Sequence, residues 1–118
     1  MYKFSDAFDP HVFVGRCLEM ICFNANQIYF HFNDKIMICA EASFEFHNAS
    51  NGDEFELVNV PATHTKILAL LEQRISRAEI VSGDTLHLHF DSGSYLRFAP
   101  DSQFESYHVW IGEKEVII

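Results

Sequence analysis

Shifting the chain against itself by 58 residues lays "GRCLEMICFNANQIYFHFNDKIMICA", residues 15–40, on "QRISRAEIVSGDTLHLHFDSGSYLRF", residues 73–98, without a gap. Arg16 falls on Arg74, Ile28 on Leu86, Phe30 on Leu88, His31 on His89, Phe32 on Phe90 and Ile38 on Leu96. The polar breaks coincide as well, "NAN" with "SGD" and "NDK" with "DSG". A chain with this self-similarity is expected to build one strand–turn–strand–turn–strand unit twice.

The hairpin registers follow from the same alternation. A three-residue loop at 33–35 pairs Phe32 with Ile36 and Phe30 with Ile38, which puts the apolar residues on one face. The matching loop at 91–93 pairs Leu88 with Leu96 and Leu86 with Phe98, and places Gly93 where a left-handed residue is wanted. A slip of one residue would send Phe30 and Leu88 into water. Further strand-like runs follow each hairpin: "SFEFH" and "EFELVNV", then "SYHVWI" and "EVII". Between the halves, Pro61 suits a first helical position and Ile67, Leu68, Leu71 and Ile75 mark one stripe, so a helix is expected over 61–74. The eight residues "DPHVFVGR" are too few to decide between a helical turn and a loop.

The expected fold is mainly β, in the α+β sense. It is an antiparallel sheet of about eight strands from two similar halves, 15–60 and 73–118, joined by the helix and arranged as an open barrel or a sandwich. At 118 residues the chain fits a single domain, 1–118, large enough to bury a core without staples. Twelve Phe against one Trp indicate an interior built from phenyl rings. The outward face of the first hairpin carries Tyr29, His31, Met37 and Cys39, only half polar, so the helix or a second copy of the chain is expected to cover part of it. Monomer and homodimer both stay open.

Charge narrows the partners. Seventeen acidic residues against eight basic ones give a formal charge of -9, which repels phosphate backbones and anionic lipid and favours a basic protein partner. No window has the apolar length of a membrane span and the start "MYKFSDAFDPHVF" has no signal-peptide character, so a cytoplasmic protein is expected. Cys17, Cys22 and Cys39 are an odd set without a CxxC, which points to buried free thiols with no assigned role.

The one stretch with the look of chemistry is "DTLHLHF", where His87 and His89 lie two apart on a strand and point the same way. On the hairpin register His87 faces Arg97 and His89 faces Tyr95, while His31 faces Met37 and Tyr29 faces Cys39. Zinc normally takes three or four protein ligands and an arginine is a poor neighbour for a dication. No third ligand is evident nearby, and His11, His47, His64 and His108 are scattered. The imidazoles are therefore read as the polar side of a strand, with no metal or cofactor expected. Neither a GxSxG elbow nor a glycine-rich phosphate loop occurs, and Ser92 and Ser94 flank a turn glycine, so no catalytic residue is assigned and no enzyme is expected.

The segment "LHLHFDSGSYLRFAPDSQFESYHVWIGEKEVII" resembles the closing pattern of small acidic bacterial proteins of unknown function, through Leu86, Leu88, Phe90, Gly93, Leu96, Phe104, Glu105, Ser106, Tyr107 and Gly112. Proteins of this kind include immunity proteins of polymorphic and contact-dependent toxin systems. The resemblance implies direct complex formation with a basic, nuclease-type toxin, and it transfers no residue roles. The expected contact set is Asp53, Glu54, Glu56, Glu105, Tyr107, Glu113 and Glu115. The alternative is a small-ligand or metal-binding domain whose pocket is lined by Tyr29, His31, His87, His89 and Tyr95.

Overall fold

The computed structural model describes residues 8–49, 53–99 and 107–117, with side chains as far as residue 115. Among the described residues ten strands form: β1 Leu18–Phe23, β2 Ile28–Phe32, β3 Ile36–Ala40, β4 Phe44–Asn48, β5 Glu54–Val58, β6 Ile75–Val81, β7 Thr85–Phe90, β8 Tyr95–Phe98, β9 Tyr107–Ile111 and β10 Lys114–Ile117. They make two antiparallel sheets of five, ordered β1-β2-β3-β9-β10 and β5-β4-β8-β7-β6. The choice between barrel and sandwich is thus settled as two facing sheets. The expected count of about eight was too low, because every strand-like run of the sequence forms a strand and each half supplies five.

Alternation sets what faces what. In β2, Ile28, Phe30 and Phe32 are buried while Tyr29 and His31 are half-exposed, and β7 repeats this with Leu86, Leu88 and Phe90 inside and His87 and His89 outside. Both hairpin registers form as the loops dictate, Phe30 opposite Ile38 and Leu88 opposite Leu96, with Gly93 at φ 91. Each sheet is completed from the far half of the chain: β9 pairs with β3, and β4 pairs with β8. Phe30 of one sheet packs edge-on against Phe44 and Phe98 of the other, with ring centroids 5.4 and 5.7 Å apart.

The two sheets are also tied by backbone. Cys17 and Arg74 form an antiparallel bridge, and around it the bonds repeat with matching partners: Gly15 N–H donates to Ile75 O and Glu72 N–H to Leu18 O, both at 2.7 Å. Leu18 N–H donates to Gln73 O at 3.0 Å and Ile75 N–H to Arg16 O at 2.9 Å. A four-residue 3-10 helix precedes each partner, Pro10–Phe13 and Ile67–Leu70, and each first strand carries a bulge in the same place. The chain therefore crosses itself about a local two-fold axis.

This crossing explains why the helix over 61–74 does not form. The backbone of Glu72, Gln73 and Ile75 spends its hydrogen bonds on Leu18 and Arg16, and Glu72 turns the chain at φ 67. Only Ile67–Leu70 coils, and it buries Ile67 and Leu70, three apart, while Leu68 and Leu71 stay exposed. The cysteines are free, as their spacing suggested, but only Cys39 is buried.

Gly15 and Glu72 occupy matching left-handed positions, φ 82 and φ 67, and a Cβ at residue 15 would meet nothing within 4 Å. Gly15→Ala should therefore cost about 1 kcal/mol, the left-handed penalty less the entropy alanine saves, whereas Glu72→Gly should stabilise by about 0.5 kcal/mol. Urea unfolding of the two variants beside the wild type checks both signs.

Candidate functional site

Because alternate residues of every strand point inward, the remaining ones form two outer faces on opposite sides of the molecule. Tyr29 and His31 lie on the first sheet, whereas His87, His89 and Tyr95 lie on the second. The five cannot line one pocket as expected, since the two hairpins that carry them belong to different sheets.

On the second sheet the pairings bring Glu79 opposite His87, Arg77 opposite His89, Arg97 between His87 and Glu45, and His47 opposite Tyr95. Tyr95 stacks on His47 with centroids 4.9 Å apart and planes 3° from parallel, and on His87 at 6.1 Å. Arg97 Nε donates to His87 Nε2 at 3.0 Å and its terminal nitrogen pairs with Glu45. An arginine Nε–H only donates, so His87 is neutral at Nε2 and carries its hydrogen on Nδ1, which faces Glu79 at 4.0 Å. His89 Nε2 stands 3.3 Å from both Glu79 and Arg77.

Glu79 supplies the third ligand type that the sequence did not reveal. One donor atom each from Glu79, His87 and His89 lies within 4.8 Å of the others. Its position was nonetheless readable, because counting outward from the turn at Gly83 pairs Glu79 with His87. Burial, then Arg97 and His89, push the His87 imidazole below its ordinary value, so it is uncharged at neutral pH.

The first sheet carries a different constellation. Tyr29, Cys39 and His108 form one row across β2, β3 and β9, and His31, Met37, Trp110 and Glu115 form the next across β2, β3, β9 and β10. His108 is held between two carboxylates, Nε2 to Glu41 and Nδ1 to Glu115, both at 2.6 Å. The chain of bonds continues from Glu41 to Gln27 Nε2 at 3.2 Å, and from Gln27 Oε1 to the Tyr29 hydroxyl at 2.9 Å. Beside it lies a hollow of about 240 Å³ walled by Tyr29, Met37, Cys39 and Trp110. A second hollow of about 310 Å³ shares Met37 and Trp110 and reaches His31 and Lys35.

Charge on this face is fixed by burial and pairing. Burial alone would lower the His108 imidazole, but its bonds to Glu115 and Glu41 outweigh that and hold it above the ordinary histidine value. Burial pushes the Cys39 thiol up to about 11, and burial followed by the neighbouring Cys39 raises the Tyr29 hydroxyl, so both are neutral at pH 7. Glu41 and Trp110 were not singled out in the sequence, and His108 was set aside there as one of four scattered histidines. Their meeting depends on β3 pairing with β9, a contact between distant segments that leaves no local pattern.

The expected acidic contact set is dispersed. Glu54 pairs with Lys66 Nζ at 2.7 Å and Glu56 accepts from Lys66 N–H at 3.0 Å, while Asp53 lies 3.4 Å from His47. Beside them the edge strand β5 exposes Phe55 and Leu57 at 59% and 54%. Tyr107 is 1% exposed and its hydroxyl donates to Ser43 O at 2.6 Å, so it is a core residue and offers no surface to a partner. Glu113 is exposed in the turn after Gly112, Glu115 joins the His108 cluster, and Glu105 falls outside the described residues.

The chain belongs to the family described as "Family of unknown function (DUF6188)", whose model matches residues 11–118. No curated protein matches it, and no solved structure does. Among the described residues no helix is long and apolar enough to cross a membrane.

His108 and His87 carry opposite pH signatures. A base held above its unfolded value of about 6.5 stabilises the fold below that pH and loses the contribution as pH rises through the folded value, and a base held below it penalises the fold as pH falls below about 6.5. The stability lost in His108→Gln should therefore be largest near pH 5.5 and shrink towards pH 8.5. His87→Gln should gain relative to wild type as the solution is acidified. Urea unfolding at several pH values reads both trends.

Proposed function

We propose that this DUF6188 domain is a protein-binding module that recognises a basic protein through the outer face of its first sheet, acting as an immunity protein acts on a nuclease-type toxin. The observation that carries this reading is the Trp110, Met37 and Tyr29 surface with its two hollows, edged by Glu41 and Glu115. Tryptophan, tyrosine and methionine are enriched at interface centres, where a few such anchors in pockets supply most of the binding energy. The formal charge of -9 adds long-range attraction for a basic partner and works against nucleic acid. This moves the contact away from β5, where Glu54 and Glu56 are occupied by Lys66.

Capture of the partner from the source cell tests the reading. Wild type should retain one basic protein, with association slowing as salt rises, and Trp110→Ala should weaken the complex at least thirtyfold, the loss of about 2 kcal/mol typical of an interface anchor. Phe55→Ser on the opposite sheet should leave it unchanged. Equal capture by Trp110→Ala, with its β circular dichroism intact, would place the interface elsewhere.

A second reading is favoured by the position of Glu79: the second sheet binds a transition-metal ion through Glu79, His87 and His89. It requires Arg97 to leave His87 and pair wholly with Glu45, since the imidazole cannot ligate through Nδ1 while Nε2 accepts from Arg97. Protein desalted after exposure to zinc should then keep about one ion per chain and lose it in His89→Ala. A metal-free product whose melting temperature ignores added zinc removes this reading.

A further inference from the structure

We infer that the hollow between Tyr29 and Trp110 receives one guanidinium side chain, an arginine of the protein partner, an inference that rests on the protein-binding reading of the same face. The argument comes from the molecule's own second sheet. The two outer faces correspond position by position: the cross-strand pair Cys39–His108 matches Arg97–Glu45, Met37–Trp110 matches Tyr95–His47, and Tyr29 matches His87. On the second sheet the chain's own Arg97 lies there, bonded to His87 on one side and Glu45 on the other, beside the stacked rings of Tyr95 and His47. On the first sheet that arginine is replaced by Cys39, and a hollow of about 240 Å³ stands over the thiol.

What surrounds the hollow suits the missing group. Trp110 and Tyr29 line it with aromatic rings and Met37 with a polarisable thioether, groups that favour a planar guanidinium over an ammonium. The titratable groups facing it are Glu41, Glu115, His108, Cys39 and Tyr29. With His108 protonated between the two carboxylates, and the thiol and phenol neutral, the set keeps one net negative charge for an incoming cation. Each carboxylate spends one oxygen on His108; Glu41 gives the other to Gln27, and among the described residues Oε1 of Glu115 has no hydrogen-bond partner. The volume is below the roughly 300 Å³ at which small-molecule sites begin, which fits one side chain.

Trp110 is the chain's single tryptophan, so its emission reports on this hollow directly. The intact protein is titrated with N-acetyl-arginine amide, its lysine counterpart and the uncharged citrulline counterpart. Arginine amide should give a saturable emission change in the millimolar range, lysine amide a weaker one and citrulline amide none. Glu115→Gln should raise the arginine Kd about fivefold, and Glu41→Gln, should the first variant misfold, serves the same purpose. No arginine response up to about 100 mM, or an equal response to citrulline amide, overturns the inference. The two proposals fail distinguishably: partner capture that Trp110→Ala abolishes, without any arginine response, sinks only the guanidinium assignment. A saturable arginine response with no basic partner captured leaves a guanidinium site standing and sinks the protein-binding reading together with the assignment of that arginine to a protein partner.

Discussion

The edge-on contact of Phe30 with Phe44 and Phe98 is the constraint from which the rest of the molecule follows. Phe30 belongs to one sheet and the other two rings to its neighbour, so the contact exists only if the sheets face each other. Once Phe30 points inward, strand alternation forces Tyr29 and His31 outward, and the same holds for His87 and His89 around the inward Leu88. Truncating such a ring typically costs about 3–5 kcal/mol, comparable to the whole stability of many small domains, which makes slipped registers uncompetitive. The chemistry on the two outer faces is thus positioned by an interior that takes no part in it.

Exchange of strands between the halves gives these faces their character. If each half had closed its own sheet, β4 would lie beside β3 and β9 beside β8. Instead β9 crosses to β3 and brings His108 and Trp110 to the first sheet, while β4 crosses to β8 and brings Glu45 and His47 to the second. A carboxylate meets Arg97 in one case and an imidazole meets a neutral thiol in the other. Corresponding strand pairings therefore support a face that neutralises its own guanidinium and one that holds an excess of carboxylate. The difference is made by side chains alone.

What the sequence disclosed was what short loops decide. Three residues at 33–35 and 91–93 fix the partner of every residue in the flanking strands, so Phe30–Ile38, His87–Arg97 and His89–Tyr95 could be counted off directly. The pairing of Glu79 with His87 was open to the same counting from Gly83. Long-range pairings were out of reach, since nothing local distinguishes β9 beside β3 from β9 beside β8, and His108, Glu41 and Trp110 became a site only through that choice. Tyr107 looked like a surface aromatic beside acidic residues, but its ring lies 5.3 Å from Phe98 in the core. The helix over 61–74 failed for a related reason. Its apolar spacing was real, yet the backbone at 72–75 found partners at 15–18, and a hydrogen bond made across the chain forecloses the one a helix would have used.

His108 also has a mechanical consequence for the first sheet. Among the described residues β10 is an edge strand paired with β9 alone, and a short edge strand frays readily. The bond from His108 to Glu115 fastens this edge from above, and the bond to Glu41 ties the same ring to the residue following β3. One imidazolium thus spans three chain segments and fixes the spacing of the two carboxylates beside the hollow. Loss of its proton would leave two carboxylates competing for a single remaining donor. The interaction that fixes the two carboxylates beside the hollow is also the one that secures the sheet edge, so local order at β10 should fall as His108 loses its proton.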